Sequence, residues 1–550
     1  MNPVAVITHV FRRAWRDPNP ILLKELRVVF RTNLFTRFLY LSTAAVALIV
    51  LTTAALRAAG AEPPATTGQM IFQFFFSVAL MVVSVVAPGF GASTITGEKE
   101  LRTYESLVLS GMSASRIVWG KFFAAYGAMS LVLIAFAPVV GIAFLFGGVS
   151  PADVVIAYLA ILILLAIALA FGIAVSSRAK STRIAILVAT VVYVPVSWIF
   201  VMTETSFGMM GVISGHGGGA GPFWFVQALA SLDWDLAGLK TLAIAILLPL
   251  FWAFMVLWLF LATAISGLRP LNEDRSAPFK RWTIVSFAGL VLTMIAFLSL
   301  SDDWYSARRV SEAFVAFTAF VILFYALLFA NEPTLPARSA KLGPIGRTFG
   351  SGAAATARFA AVMVFLAALI PAVLLPELAA FFWPGGDGRA ELDAAMIVML
   401  AGHLAIGLFA AAFGGYLRAV LKKGAAARAI VLTVLAGLCL LPVLGVALYD
   451  PENLDHLSDH LAIKISPIYP TTLAFDDRTD IAEILVTVVL YLCATVAFWV
   501  LLAQRTSKEA RLESARRAKR ETKLRESAPS LPALQTQRTS LTPDRPRAGE

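Results

Sequence analysis

Charge is what this sequence has least of. Only 14% of its 550 residues are Asp, Glu, Lys or Arg, against about 25% in a soluble domain. Hydrophobic residues make up 59%, and mean hydropathy is +0.80. Large soluble chains add domains rather than greasier cores, so the deficit excludes a water-soluble fold and makes lipid the solvent for most of the chain. Cysteine is nearly missing as well. Cys439 and Cys493 each lie inside an apolar run, which excludes a disulfide framework and a cysteine-based metal site. There is no HExxH, no Walker loop and no Ser/His/Asp grouping, so the chain shows neither catalytic apparatus nor an energy source of its own. The opening residues are too long and too charged (Arg12, Arg13, Arg16, Lys24, Arg27, Arg31) for a cleavable leader.

What is present is apolar length. A run of about 20 residues crosses the hydrocarbon core as a helix. Twelve such runs occur, near 35–58, 69–91, 114–146, 152–176, 183–203, 239–267, 281–301, 312–330, 356–383, 394–417, 427–449 and 481–503. The third is longer than a bilayer needs, so part of it is expected to be tilted, broken or interfacial. With the N-terminus cytoplasmic, 38 of the 45 basic residues fall on the inner side, as the excess of Lys and Arg in cytoplasmic loops requires. The expected fold is an all-α polytopic membrane protein of about twelve transmembrane helices, both termini cytoplasmic, in the inner (plasma) membrane. The net charge of +11 is thereby a topological signal and not a nucleic-acid surface.

Four segments follow. Residues 1–34 contain a stretch in which Leu22, Leu26, Val29 and Phe30 share one helical face, with Lys24, Arg27 and Arg31 opposite. That is the pattern of an amphipathic helix lying at the lipid interface. Residues 35–267 and 268–503 are two six-span units, alike in having a long inner loop after the second span (92–113 and 331–355) and a long outer loop before the last (204–238 and 450–480). Residues 504–550 form a basic tail, first helical with Glu513–Arg517 and Glu521–Arg525 spaced i,i+4, then Pro-rich and disordered. The tail either binds the inner leaflet or is simply solvated. The Gly-rich run 214–222 lacks the framing strand and the Lys of a phosphate loop and reads as a turn.

Within the spans almost nothing is ionisable, although an ion-coupled carrier or membrane enzyme needs such groups. His403 stands alone near a span's middle, and Lys121 lies close to a span's cytoplasmic end. Gln69 and Gln73, one turn apart on the second span, either line a pathway or bond a neighbouring helix. Energy must then come from a partner, which would contact the large inner loops. The first of these reads Thr94-Ile-Thr-Gly-Glu-Lys-Glu-Leu-Arg-Thr-Tyr-Glu-Ser-Leu-Val-Leu-Ser-Gly-Met-Ser113 and continues to Gly120-Lys121. Built as a helix from Glu98, it aligns Glu98, Arg102, Glu105 and Leu109 on one stripe and pairs Glu98 with Arg102.

This run resembles the conserved motif of ABC-2-type permeases, with Gly97, Glu98, Glu100, Thr103, Glu105, Leu107, Leu109, Ser110, Met112, Ser113, Ile117, Gly120 and Lys121 in matching places. Asn19-Pro20-Ile-Leu-Leu-Lys24-Glu25-Leu26-Arg27 likewise resembles that family's N-terminal motif. The resemblance implies the membrane-spanning permease of an ABC transporter, with export the expected direction. It implies a separate cytoplasmic ATPase subunit that binds ATP and Mg, so that this chain binds no cofactor or metal itself. It implies docking through Gly97, Glu98, Glu100, Thr103 and Glu105, and an interfacial helix built on Lys24, Glu25, Arg27 and Arg31. Most such permeases have about six spans. With the inner loop after Asn331 lacking the Gly-Glu-x-Glu pattern, the pore is completed either within one chain or by a homodimer or second permease. The alternative class is an ion-coupled secondary transporter, which also commonly has twelve spans.

Overall fold

The computed structural model describes residues 19–31, 33–59, 64–213, 247–270, 275–300, 352–382, 394–421, 424–449 and 481–527, with shorter pieces within 314–326, 349–350 and 464–469. Among these residues every extended element is a helix. In chain order they are α1 Pro20–Arg31, α2 Asn33–Ala59, α3 Pro64–Glu100, α4 Tyr104–Leu109, α5 Ala114–Ala135, α6 Ala137–Phe146, α7 Pro151–Arg178 and α8 Thr182–Ile213. Then come α9 Leu248–Leu268, α10 Ala277–Leu300, α11 Ala353–Phe382, α12 Ala394–Leu421, α13 Gly424–Tyr449 and α14 Ile481–Ser527. Pro20, Pro64 and Pro151 open α1, α3 and α7, the one helical position where a missing N–H costs nothing.

Among the described residues, eight helices are long and apolar enough to cross a membrane, and each coincides with an expected run. The runs at 35–58, 183–203 and 427–449 overlap the shorter apolar stretches Leu39–Thr52, Thr182–Trp198 and Ala426–Pro442. The run at 312–330 is described only in pieces, and the Gly-rich turn, the inner loop at 331–348, the outer loop at 450–463 and the tail beyond 527 lie outside the described residues. The long run at 114–146 is divided at Phe136 into α5 and α6. Pro138 supplies the reason, since it removes a helical N–H and crowds the preceding turn.

Among the described residues, most buried apolar side chains gather into two large cores. One joins α2, α3, α5, α6 and α7 to one face of α9 through Leu261 and Ala264. The other joins Met255 and Ala262 of α9 to α10, α11, α12, α13 and α14. α9 therefore serves both. It is stapled to α10 by two indoles, Trp252 Nε1 donating to Thr293 Oγ1 at 3.0 Å and Trp282 Nε1 donating to the Met255 carbonyl at 2.7 Å. In the first core, α3 and α7 touch backbone to backbone. A Cβ on Gly91 would lie 2.4 Å from the Leu169 carbonyl oxygen, and one on Gly172 would lie 2.1 Å from that of Pro88. Only glycine permits so close an approach.

Candidate functional site

The inner loop is built differently from the single helix that its periodicity implies. α3 continues out of its apolar stretch to Glu100 and stops in a Schellman turn: Thr103 N–H donates to the Glu98 carbonyl at 3.0 Å and Arg102 N–H to that of Lys99 at 3.2 Å. Arg102 takes the left-handed position with φ +57°, where glycine is usual. The chain therefore turns at residues 101–103, which separates Glu98 from Arg102 and prevents their i,i+4 pairing. The short α4 follows, ended by Gly111 at φ +76°. Ser113 then starts α5 by accepting from Arg116 N–H. Leu101, Glu105, Val108 and Leu109 are all exposed on this elbow.

The three charges ahead of the turn point to three different neighbours. Glu98 Oε1 accepts from Lys121 of α5 at 3.1 Å and from Lys24 of α1 at 3.3 Å. Lys121 also meets Glu25 of α1 at 3.0 Å and donates to the Thr94 carbonyl at 2.9 Å, and its side chain is only 1% exposed. Two cations and two carboxylates thus close a neutral cluster across α1, α3 and α5, which is the condition for keeping such charges buried. Lys99 donates to the carbonyls of Ser176, Ser177 and Ala179 at 3.3, 2.7 and 3.4 Å. Those are orphan carbonyls at the C-terminus of α7, where positive charge is favoured. Glu100 does the reverse for α8, accepting from Thr182 N–H and Oγ1, each at 2.8 Å. Ser176 Oγ accepts from Ile95 N–H at 3.1 Å and Thr96 N–H at 2.9 Å.

α1 lies along α5. Ile21 is buried, Asn19 Nδ2 donates to the Arg116 carbonyl at 2.7 Å, and Gly120 leaves room for Asn19 and Ile21 to pack on it. Arg27 and Arg31 are exposed, as is Phe30.

Of the residues singled out in the loop, Glu98 is thus internal and Glu100 engaged with Thr182. Thr103 is exposed, with its hydroxyl donating to the Glu98 carbonyl at 3.3 Å, and Glu105 is exposed. Gly97 has open space where a Cβ would be. Tyr104 is half-buried, and burial with the nearby Glu98 charge raises its hydroxyl above the usual tyrosine value. Gln69 and Gln73 lie at the opposite end of α3, Gln69 exposed and Gln73 partly buried. His403 is buried with Nδ1 2.7 Å from the Met399 carbonyl of its own helix. Cys439 and Cys493 are both free, and no group of three or more His, Cys, Asp or Glu that could hold a metal ion occurs among the described residues.

The cluster's centre, Lys121, was legible as a lysine interrupting an apolar run and as the end of the motif match, but its ion-pair role was not. Its partner Glu25 lies 96 positions away, and Lys99 carries no sequence signal beyond its place between two glutamates. Residues 42–219, which include the elbow and its neighbours α3, α5, α7 and α8, match a family described as ABC-2 family transporter protein. No curated protein and no solved structure matches the chain.

Proposed function

Since residues 42–219 carry an ABC-2 family transporter domain and the chain is a multi-pass membrane protein, we propose that it is the permease subunit of an ABC exporter in the inner membrane. A separate cytoplasmic ATPase subunit supplies ATP and Mg chemistry. The full arrangement is twelve spans in two six-span units, 35–267 and 268–503, with both termini cytoplasmic and a basic tail at 504–550. Support for the sidedness comes from contacts among helix ends. The elbow shares its end of the bundle with α1 through Asn19 and Arg116 and with the α7–α8 turn through Lys99 and Glu100. An N-terminus two spans before the elbow, and a turn two spans after it, must lie on the same side as the elbow.

The observation that carries the proposal is a short exposed helix rooted by ion pairs and caps in the helices around it. Of the docking set Gly97, Glu98, Glu100, Thr103 and Glu105, we assign direct contact with the ATPase to Glu105 and Thr103, flanked by the exposed Leu101 and Leu109. Glu98 and Glu100 form the root that carries the load. Displacement of α4 reaches α3 through the Schellman turn, α8 through Glu100, and α5 and α1 through Lys121. α7 must follow, because Gly91 and Gly172 lock its backbone against α3. Dimerisation of two ATPase subunits would in this way rock one six-span unit against the other, or against a second permease, and open a path past Gln69 and Gln73. Lys24, Glu25, Arg27 and Arg31 set α1 at the inner headgroup layer, with Arg27 and Arg31 toward anionic lipid at about 1 kcal/mol each.

The test uses Glu105→Lys and Leu109→Asp, both on exposed positions. Each is expected to abolish co-purification with the cognate ATPase and its stimulation, while deletion of residues 528–550 leaves both intact. Normal ATPase binding by the double variant would sink the docking assignment.

A further inference from the structure

α14 does not stop where its apolar run stops. Ile481–Ser527 is one helix of 47 residues without proline or glycine, about 70 Å long at 1.5 Å per residue. The hydrocarbon core takes about 30 Å of that length, and the apolar run ends at Ala503. From there the helix continues as a charged arm.

Contacts between successive helix ends place the arm at the end of the bundle that carries the elbow. Lys99 joins the elbow to the end of α7. There a Cβ on Gly267, at the end of α9, would lie 2.5 Å from Ser177 Oγ. Arg275 Nε, just ahead of α10, donates back to the Arg269 carbonyl at 2.9 Å. Lys280 Nζ, in the first turn of α10, donates to the Phe349 and Gly350 carbonyls at 2.9 and 2.6 Å, shortly before α11 begins. Ala357 of α11 and Leu502 of α14 close on Gly415 near the end of α12, 3.0 and 3.2 Å from where its Cβ would be.

Along the arm, Lys508, Leu512, Arg516, Lys519 and Lys523 follow at steps of 4, 4, 3 and 4, which puts them on one helical face. All five are exposed. Ser507, Ala510, Ser514 and Glu521 lie opposite, and Arg517 on that side has Glu513 four positions before it. The face is thus a row of four cations interrupted by one leucine.

Distance and chemistry narrow what can cover it. Arg516, Lys519 and Lys523 stand roughly 20–30 Å beyond Ala503, past a headgroup layer of about 5–8 Å and a Debye length of about 8 Å. A tilt of about 20°, usual for a span, leaves that nearly unchanged, so the inner leaflet does not reach them. A phosphate backbone offers Leu512 no apolar contact, whereas a protein surface can offer both carboxylates and an apolar site. The elbow at the same end exposes Glu105 and Leu109. A body that reaches both meets acid on one and cations on the other, which fixes its orientation. We infer that this stripe is a second docking surface for the ATPase subunit, which meets it with an acidic face. The partner's identity rests on the permease reading; the stripe's preference for an acidic protein does not.

The test uses the full chain in zwitterionic nanodiscs and the purified cognate ATPase subunit, with binding followed by interferometry at physiological salt. Arg516→Gln, Lys519→Gln and Lys523→Gln together should weaken binding roughly tenfold or more and flatten its salt dependence. Ser507→Glu, Ala510→Glu and Ser514→Glu change the net charge equally on the opposite face and should leave affinity within about twofold. A dye on Leu512→Cys, in a Cys439→Ala, Cys493→Ala background, should shift on adding the ATPase. It should not shift on moving the chain into phosphatidylglycerol discs or on adding poly-uridine RNA. Native affinity in the Gln variant, equal losses from both faces, or a dye shift with anionic lipid or RNA and not with the ATPase would each overturn the stripe and leave docking at the elbow in place. Failure of the native chain to bind the ATPase at all would overturn the permease reading, and the stripe's partner with it.

Discussion

Lys121 has the least exposed charge in the ion-pair cluster described here, and its environment makes a sharp prediction. Removing one partner of a buried pair leaves its counter-charges uncompensated and costs about 3–5 kcal/mol. Lys121→Met should therefore lower the thermal unfolding midpoint substantially. Adding Glu25→Gln and Glu98→Gln to the same chain should recover most of the loss, because the carboxylates stranded by the first change are then neutral. A triple variant no more stable than the single one would show that Lys121 matters for packing and not for charge. Arg102 supplies a second case. A left-handed backbone costs a non-glycine residue roughly 1–2 kcal/mol, and the strain is worse for a β-branched side chain. Arg102→Val should destabilise the elbow, seen as faster amide exchange across residues 103–110, whereas Arg102→Gly should not.

At the scale of elements, the contrast between Gly97 and the pair Gly91 and Gly172 separates fold from function. The Cβ of an alanine at Gly172 would stand 2.1 Å from a backbone oxygen, and at Gly91 2.4 Å, while at Gly97 it meets nothing within 4 Å. Gly172→Ala should push α3 and α7 apart and reduce the yield of folded protein. Gly97→Ala should leave the protein alone no less stable, since alanine exceeds glycine in helix propensity by about 1 kcal/mol; on the proposed reading, any loss it causes in ATPase binding then reports docking. Eight of the expected spans were legible as helices long and apolar enough to cross a membrane, because lipid demands length and apolarity. The break at residues 101–103 was not, because the residue in the left-handed position is an arginine and nothing local marks it. Nor were the targets of Lys99 and Glu100, because both are fixed by the α7–α8 turn, which returns to this end only after two further passes, nor the partners of Glu98, one of which, Lys24, lies 74 positions away.

Topology is the property of the whole molecule from which the functional reading follows, and it joins the charge count to the structure. Basic residues gather at the ends of helices that share one end of the bundle: Lys24, Lys99, Arg116 and Lys121 all lie among the contacts of the elbow. The α6–α7 turn with Gly147 and Gly148 lies at the other end of α7 and close to the start of α3, where a Cβ on Gly68 would lie 2.0 Å from the Gly147 carbonyl oxygen. On the proposed reading, the Lys and Arg bias puts the first end in the cytoplasm, where a partner ATPase would meet the elbow. Cysteine scanning tests this without knowledge of any substrate. In a background with Cys439→Ala and Cys493→Ala, a membrane-impermeant maleimide added to intact cells should modify Val149→Cys. It should spare Ser106→Cys on α4 and Lys508→Cys on α14 until the membrane is permeabilised. Labelling of Ser106→Cys from outside would place the elbow beyond reach of any cytoplasmic ATPase, and the permease reading would fall with it, whereas labelling of Lys508→Cys alone would revise only the number of spans after α9.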